Sequence, residues 1–267
     1  MRKACQFAMA LLVVVAIGRP ALAQEEQTPI DINRSNTARD PSPSIIDIHY
    51  GAADIRLTNT YGTTDEIGRV IAQEWATLRA TPQGAVRYIL VDGVQYDLLQ
   101  FHFHTPAEHA VNGRRAPMEM HFVHLAHIGG CTASARPLVV LGVFIEDGGV
   151  DRELQRLFPE GLPESKNDPA VDVFNVNLDA LLPRKQATWR YEGGLTAPSN
   201  ACPSFSPVST QLVTGEFPEA VHWFVYNDSL RLPKRIIERF QELFPEGNSR
   251  NLKLIGERTV YSADKKR

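Results

Sequence analysis

Short runs of strand-forming residues recur along the chain, and turn-forming pairs such as Asp92-Gly93 and Asn112-Gly113 separate them. This alternation of apolar runs with turns is typical of a β fold. It predicts eight strands: Ile45–His49, Ile55–Thr58, Val86–Val91, Leu98–His104, Met118–Leu125, Leu138–Ile145, Thr188–Tyr191 and Val221–Tyr226. Helical periodicity is found only in Asp151–Phe158 and Leu232–Leu243. We therefore expect a mostly β protein.

The composition agrees with that expectation. The chain has 267 residues, with 43% hydrophobic and 22% charged residues, 18 Gly and 18 Pro. Gly and Pro together make up about one residue in seven, which favours a turn-rich fold over a helical bundle. No repeat or linker divides the chain, although Gly194–Pro218 is an irregular Pro/Ser-rich segment. We expect a single domain over residues 24–267.

The first 23 residues have the features of a signal peptide. Arg2 and Lys3 precede an apolar stretch, Ala4–Gly18, and Ala21-Leu22-Ala23 forms a small-x-small cleavage site. The alternative is an uncleaved membrane anchor, but the stretch is shorter than the roughly 20 residues that span a bilayer. We expect cleavage before Gln24 and a periplasmic or secreted protein.

The charge limits the classes of partner. The formal net charge is −3 and the pI is about 6.2, so no basic field would attract nucleic acid or anionic lipid. No later segment is apolar enough for stable membrane insertion. Assembly as a homodimer is left open.

Cys131 and Cys202 are the only cysteines after the predicted signal peptide. Two cysteines in an oxidising compartment most simply form one disulfide. The alternative is a pair of free thiols. A structural zinc site is excluded for this pair, because it needs more ligands.

Six of the eight histidines lie between residues 102 and 127. The strand period of two places Gln100, His102 and His104 on one face and Phe101 and Phe103 on the other. In the next strand, the same period places Glu119, His121 and Val123 on one face. Two adjacent strands could therefore direct three imidazoles to one point. Three neutral imidazoles with an open fourth position are the ligand set of a catalytic zinc.

Polar neighbours support this interpretation of the histidines. Metal-bound histidines usually donate their second N–H to a carboxylate or amide oxygen, and Gln100 and Glu119 are placed for that role. A lone buried histidine is usually a core residue with satisfied hydrogen bonds, but three on compatible strands are costly without a function. Four other histidines lack this arrangement, and we interpret them as structural or surface residues: His109, His124, His127 and His222.

Several segments resemble the α-class carbonic anhydrases, here as a bacterial, exported member. QFHFHTPAEH (100–109) and MEMHFVH (118–124) are similar to the zinc-binding strands of that family, and QTPIDI (27–32) to its N-terminal signature. WRYEGGLTAP (189–198), VHWFVY (221–226), LVVLGVFIEDG (138–148) and Asn248-x-Arg250 also fit. The resemblance runs in the family's order from Gln27 to about Val260.

The resemblance implies a single domain on a large twisted, largely antiparallel sheet with a few short peripheral helices. It implies reversible hydration of carbon dioxide to bicarbonate and a proton by attack of zinc-bound hydroxide. His102, His104 and His121 would be the zinc ligands, and Gln100 and Glu119 their partners. Thr196 would orient the hydroxide and Glu108 would orient Thr196. An apolar wall would hold carbon dioxide: Val123, Val140, Leu195, Val221 and Trp223.

This chain departs from the family pattern at four places. Ala197 replaces the usual second threonine and would also line the substrate pocket. The stretch Leu57–Gly62 lacks the usual proton-shuttle histidine, which leaves His49 as the first substitute to consider. The Trp-rich segment before QTPIDI is missing, and the 198–220 segment is longer than usual.

Two other functions are compatible with the histidines. A cupin-type metalloenzyme would use His102, His104 and Glu108, although Gly93 and Gly113 miss the glycine positions of that motif. A non-catalytic zinc-binding or interaction protein on the same scaffold is the other alternative. Such proteins typically lose a ligand histidine, and all three are present here. Cobalt or iron could also occupy three imidazoles.

Overall fold

The computed structural model describes residues 27–60, 76–127, 138–196 and 219–263. Within these ranges the strands are β1 (Asp31–Ile32), β2 (Thr37–Arg39), β3 (Ile46–His49), β4 (Ala52–Asn59), β5 (Leu78–Pro82), β6 (Tyr88–Val91), β7 (Val94–His104), β8 (Ala110–Val111), β9 (Met118–Ala126), β10 (Leu138–Asp147), β11 (Val171–Asn177), β12 (Thr188–Gly194), β13 (Glu219–Tyr226), β14 (Leu230–Leu232) and β15 (Val260–Ser262). The helices are α1 (Arg152–Arg156), a 3₁₀ turn (Leu178–Leu181) and α2 (Lys234–Leu243). The eight predicted strands and both predicted helices are confirmed, with shifted ends.

One large twisted sheet contains most of these strands. Its order is β11-β4-β5-β7-β9-β10-β13-β12-β15-β2, with β14 beside β10 and β6 joining β3 to β7. Among the described strands of this sheet, β10 runs parallel to β13 and β14, and β15 runs parallel to β2; the other pairs are antiparallel. The expected mostly β fold is confirmed.

The central pair, β7 and β9, carries the candidate ligands. Their antiparallel register places His102 opposite His121 and His104 opposite Glu119. A bulge between Leu98 and Gln100 shifts the register by one residue. Because a bulge adds one residue to one strand, it changes which side chains share a face. Downstream of it, the histidines share one face, while Phe101 and Phe103 are buried on the other.

The two faces of the sheet have separate apolar layers. The large core lies on the side of Phe101 and Phe103 and includes Phe240 of α2. The metal-side cluster lies on the histidine face and comprises Ile30, Ile32, Ala107, Ala116, Val123, Val140, Phe144, Tyr191, Leu195, Val221, Trp223, Val225 and Val260. All nine residues of β9 are buried, because this strand is covered on both faces.

Several sequence-based predictions lie outside the described residues. These are the signal peptide at 1–23, Cys131, Cys202, Ala197 and the segment 198–218. They stay predictions. No helix in the described ranges has the length and apolar character needed to cross a membrane.

Candidate metal centre

The side chains of His102, His104 and His121 converge on the histidine face of the sheet. One ring nitrogen from each lies within 4.8 Å of the others, and the ring centroids are 4.8 to 5.4 Å apart. His104 and His121 are buried, whereas His102 is half-buried. The cluster is therefore approached from the His102 side.

Hydrogen bonds fix which nitrogen of each ring is left free. His102 Nδ1 is 2.9 Å from the amide oxygen of Gln100, and His104 Nδ1 is 2.8 Å from the backbone carbonyl of Asn248. His121 Nε2 is 2.9 Å from Glu119 Oε1. All three partners are acceptors, so these nitrogens carry the protons. The lone pairs that remain are on His102 Nε2, His104 Nε2 and His121 Nδ1.

Two buried atoms at this point have no hydrogen-bond partner among the described residues. They are His104 Nε2 and Glu108 Oε2, which are 3.7 Å apart. Glu108 Oε2 is also 3.8 Å from His121 Nδ1. Unpartnered buried polar atoms are costly, and a cation between the imidazoles would satisfy the nitrogen. The donor set thus fits a tetrahedral zinc with three nitrogen ligands and an open position.

Burial and charge influence the protonation of the candidate ligands. Burial, with repulsion from His104, His121 and Arg79, holds the pKa of His102 well below its usual value. Burial also lowers the pKa of His104, although Glu108 partly opposes it. These two rings are therefore neutral, as metal ligands must be.

A buried hydrogen-bond chain supports His121 from behind. Glu119 accepts a hydrogen bond from the His109 backbone N–H (2.8 Å), and its Oε1 is 2.7 Å from His109 Nδ1. His109 Nε2 is 2.6 Å from the hydroxyl of Tyr191, which is bonded to Thr28. Sequence reasoning assigned His109 no link to the site. Its position in the loop after β7 carries no periodic signal that could have shown the link.

The hydrogen-bond chain determines the charge of the Glu119 carboxylate. Burial would raise the pKa of Glu119, but the imidazoles of His109 and His121 outweigh burial and hold it well below the usual value. Glu119 is therefore ionised. Burial would lower the pKa of His121, but Glu119 and Glu108 outweigh it and raise the pKa. The same negative field that favours a protonated ring would favour a metal cation.

Asn248 is a second residue that sequence reasoning did not place in the site. It is fully buried. Its amide group bonds to the backbone at Ala76, Phe103 and Thr105, while its own carbonyl orients His104. The preceding Gly247 has φ +77°, and a Cβ there would lie 2.9 Å from the Thr105 carbonyl oxygen. Only glycine fits this approach without strain.

Thr196 and Glu108 are both buried. Glu108 Oε1 accepts a hydrogen bond from the backbone N–H of Arg250 (3.0 Å), while Oε2 has no partner. The described residues thus show no bond from Thr196 to Oε2, and that contact stays a prediction. Trp223 fixes the strand end before Thr196 by donating its indole N–H to the Gly194 carbonyl (3.0 Å).

The five expected wall residues lie together. Val123, Val140, Leu195, Val221 and Trp223 all belong to the metal-side cluster. The ring of Trp223 packs edge-on against His121, with centroids 4.9 Å apart. The apolar cluster therefore reaches the candidate ligands.

The remaining histidines lie away from this point. His127 and His222 form exposed pairs with Asp97 and Glu192. His49 pairs with Tyr88 in the sheet, and Tyr88 lies opposite Asp97 of β7. Asp97 is five residues before His102, or about 16 Å along a strand. His49 therefore does not border the triad, and Tyr61 and Gly62 lie outside the described residues.

The fold and the three converging histidines can be compared with those of known protein families. A model of the eukaryotic-type carbonic anhydrase family matches residues 18–202. The chain therefore belongs to this family.

Individual relatives agree. A carbonic anhydrase from Klebsiella pneumoniae is 34% identical over 173 residues, which cover 64% of this chain and 60% of the relative. One from Nostoc sp. is 26% identical over 238 residues, covering 89% of this chain and 76% of the relative. The structure of the α-carbonic anhydrase from Thermovibrio ammonificans with the inhibitor sulfanilamide has a TM-score of 0.69 at 26% identity, covering 89% of this chain and 87% of that chain.

Proposed function

We propose that this chain catalyses the reversible hydration of carbon dioxide at a zinc ion held by His102, His104 and His121. The observation that carries the proposal is the convergence of three imidazole lone pairs, each on a ring whose other nitrogen is engaged. The names of the two curated relatives support it.

The zinc site would be held in place by the surrounding hydrogen bonds. Gln100, Asn248 and Glu119 each orient one ligand ring, so each ring already presents a nitrogen lone pair to a cation. A bound zinc ion supplies a hydroxide nucleophile near neutral pH, for which carbonic anhydrases are the standard example.

Thr196 and Glu108 would orient the attacking oxygen. We propose that the Thr196 hydroxyl donates a hydrogen bond to Glu108 Oε2. This atom has no other partner among the described residues, which supports the proposal. The threonine oxygen would then act only as an acceptor toward the nucleophile. This fixes the direction of the attacking lone pair.

The apolar wall would bind the substrate. Carbon dioxide has no charge, so a small hydrophobic surface beside the nucleophile is the environment that it needs. Val123, Val140, Leu195, Val221 and Trp223 supply that surface. Ala197 would remove one hydroxyl from the pocket without affecting the nucleophile.

Stopped-flow hydration of carbon dioxide, together with metal analysis, tests the proposal. The purified protein should contain about one zinc per chain, and a chelator should abolish a rate that added zinc restores. Zinc without hydration activity would show the non-catalytic alternative instead. Glu108→Gln should keep its zinc and lose rate; loss of the metal would make Glu108 a ligand, as in the cupin alternative.

Proton release would limit turnover. Leu57–Gly62 contains no histidine, and Tyr61, with an unperturbed pKa of about 10, is a poor relay. We therefore propose transfer through water to buffer. The kcat should rise with imidazole buffer concentration while kcat/KM stays constant, and Tyr61→His should reduce that dependence. A high kcat that is independent of buffer would show another shuttle.

The chain would act after export, with Cys131 and Cys202 joined. N-terminal sequencing of periplasmic protein should begin at Gln24. Thiol reagents should label neither cysteine before reduction. Two reactive thiols in the exported protein would exclude the disulfide.

A further inference from the structure

Arg79 is the neighbour of the candidate ligands on the next strand of the sheet. It lies on β5 directly opposite His102 of β7. Opposite residues of an antiparallel pair share a face, and its neighbours Leu78 and Ala80 are fully buried on the other face. Arg79 is exposed. Its side chain is therefore on the histidine face, at the half-buried ligand.

The guanidinium of Arg79 is open to water and is also partly surrounded by protein atoms. The residue is exposed, yet nearby protein atoms desolvate its guanidinium and lower its pKa. It is also close enough for its charge to act on His102. A charge that is partly surrounded by protein is screened less than one in bulk water, so its field reaches nearby anions more strongly.

Within the described ranges, no carboxylate forms an ion pair with Arg79. The carboxylates on this face of β4 and β11 are engaged elsewhere: Asp172 forms a two-point pair with Arg56 (3.0 and 3.2 Å), and Asp54 accepts a hydrogen bond from the Asn175 backbone N–H (2.8 Å). Arg79 lies opposite Thr58, which has no charge. Among the residues that the structure describes, Arg56 is thus a neutralised cation and Arg79 an unneutralised one.

We propose that Arg79 forms a secondary position for small monovalent anions, above all bicarbonate, beside the metal centre. This inference rests on the proposed function, in which bicarbonate is the product. A guanidinium presents parallel N–H donors that match the two oxygens of a planar oxyanion. The position attracts bicarbonate to the reverse reaction and retains it after the forward reaction.

Anion binding to the cobalt(II)-substituted protein tests the proposal without measuring turnover. The visible spectrum is titrated with bicarbonate, with thiocyanate, and with neutral imidazole as an uncharged ligand. The variants are Arg79→Gln, Arg79→Lys and the control Arg56→Gln, which makes the same charge change on the same face. Bicarbonate inhibition of hydration by the zinc protein is measured alongside.

Arg79→Gln should weaken both anions about three- to tenfold, as expected for one charge lost at close range in a partly solvated site. Imidazole binding should stay within about twofold, because a neutral ligand gains nothing from the charge. Arg79→Lys should retain most of the thiocyanate affinity and lose more for bicarbonate, since lysine keeps the charge without the paired donors. Arg56→Gln should match the parent protein.

Three results would overturn the anion position: unchanged anion affinity in Arg79→Gln, an equal loss in Arg56→Gln, or an equal loss for imidazole. Failure of the proposed function is distinguishable from these. A parent protein that binds anions through Arg79 but hydrates no carbon dioxide would refute the function and keep the anion position. Hydration activity in the parent protein, together with unchanged anion titrations in Arg79→Gln, would keep the function and refute the anion position.

Discussion

His121 and His124 are three residues apart on β9, and both are buried, but they lie on opposite faces of the sheet. His121 bonds to Glu119 through one nitrogen and keeps the other lone pair free. His124 donates from Nδ1 to the Val139 carbonyl (3.1 Å), and its Nε2 accepts from the Tyr50 hydroxyl (2.6 Å). One ring has an unused lone pair, and the other has none.

The electrostatics differ in the same way. Carboxylates raise the pKa of His121 despite its burial. Burial lowers the pKa of His124 to about 4, and its hydrogen bonds to backbone carbonyls only partly oppose this. Residue type and burial are thus the same at both positions. The partners alone separate a candidate metal ligand from a structural histidine.

The largest effect is expected from removing one ring on each face. His121→Ala should lose stoichiometric zinc and all hydration activity, because two imidazoles cannot hold the cation in an open tetrahedral site. His124→Phe should retain the zinc. Metal analysis of both purified variants checks this. Full zinc in His121→Ala would refute the ligand assignment.

Glu119→Gln removes the carboxylate that bonds to His121, so that this ring, like His124, would have an uncharged hydrogen-bond partner. Loss of such a partner typically costs about 10- to 100-fold in metal affinity, which competition with a chromophoric chelator measures. Glu192→Gln is the matched control, because Glu192 holds the exposed His222. The comparison fails if both variants bind zinc like the parent protein.

His124→Phe should reduce stability rather than function. The variant leaves the buried Tyr50 hydroxyl without its acceptor, which costs about 1–3 kcal/mol of unfolding free energy. Urea unfolding measures it. The double variant Tyr50→Phe/His124→Phe removes both partners and should recover part of the loss. A double variant less stable than the sum of the singles would contradict this account.

A smaller effect should appear in the pH dependence of stability. The pKa of folded His124, about 4, lies below the unfolded value of about 6.5. Between these values the unfolded chain binds a proton that the folded protein does not. The free energy of unfolding therefore decreases as the pH is lowered, by at most about 1.4 kcal/mol per pH unit. His124→Phe lacks this loss. Its destabilisation relative to the parent should therefore be smaller at about pH 5 than at about pH 7.5, and an equal difference would exclude the mechanism.

The strands that carry the ligands could be predicted because they are regular. β7 after its bulge and the first half of β9 alternate regularly, which places His102, His104 and His121 on one face. β5 and β11 were not predicted. β5 contains Arg79, Thr81 and Pro82, and β11 changes register between Val173 and Val176. Both are short or interrupted strands whose pairing depends on the sheet around them.

The predictable part of the site is the part that uses side chains within one strand. Gln100, His102 and Glu119 follow from spacing alone. Asn248 acts through its backbone carbonyl, which any residue could offer, so no side-chain pattern indicates it. Arg79 becomes a neighbour of His102 only through the register of two strands. Long-range pairing, and not residue type, is what the sequence leaves undetermined.

The bulge at Leu98–Gln100 makes β7 two segments with opposite phase. A single-residue deletion anywhere from Phe101 to Phe103 would turn a ligand toward the large core. Loss of Leu99 would instead remove the bulge and restore an uninterrupted alternation, in which Leu98 and Phe101 still face the large core and Gln100 still faces the histidine side. Leu99 is therefore a spacer residue, and its removal should change the local twist of the strand rather than the faces of its two segments. The alternation of β7 tolerates a one-residue change of length at this position and not at the histidine-bearing positions that follow it.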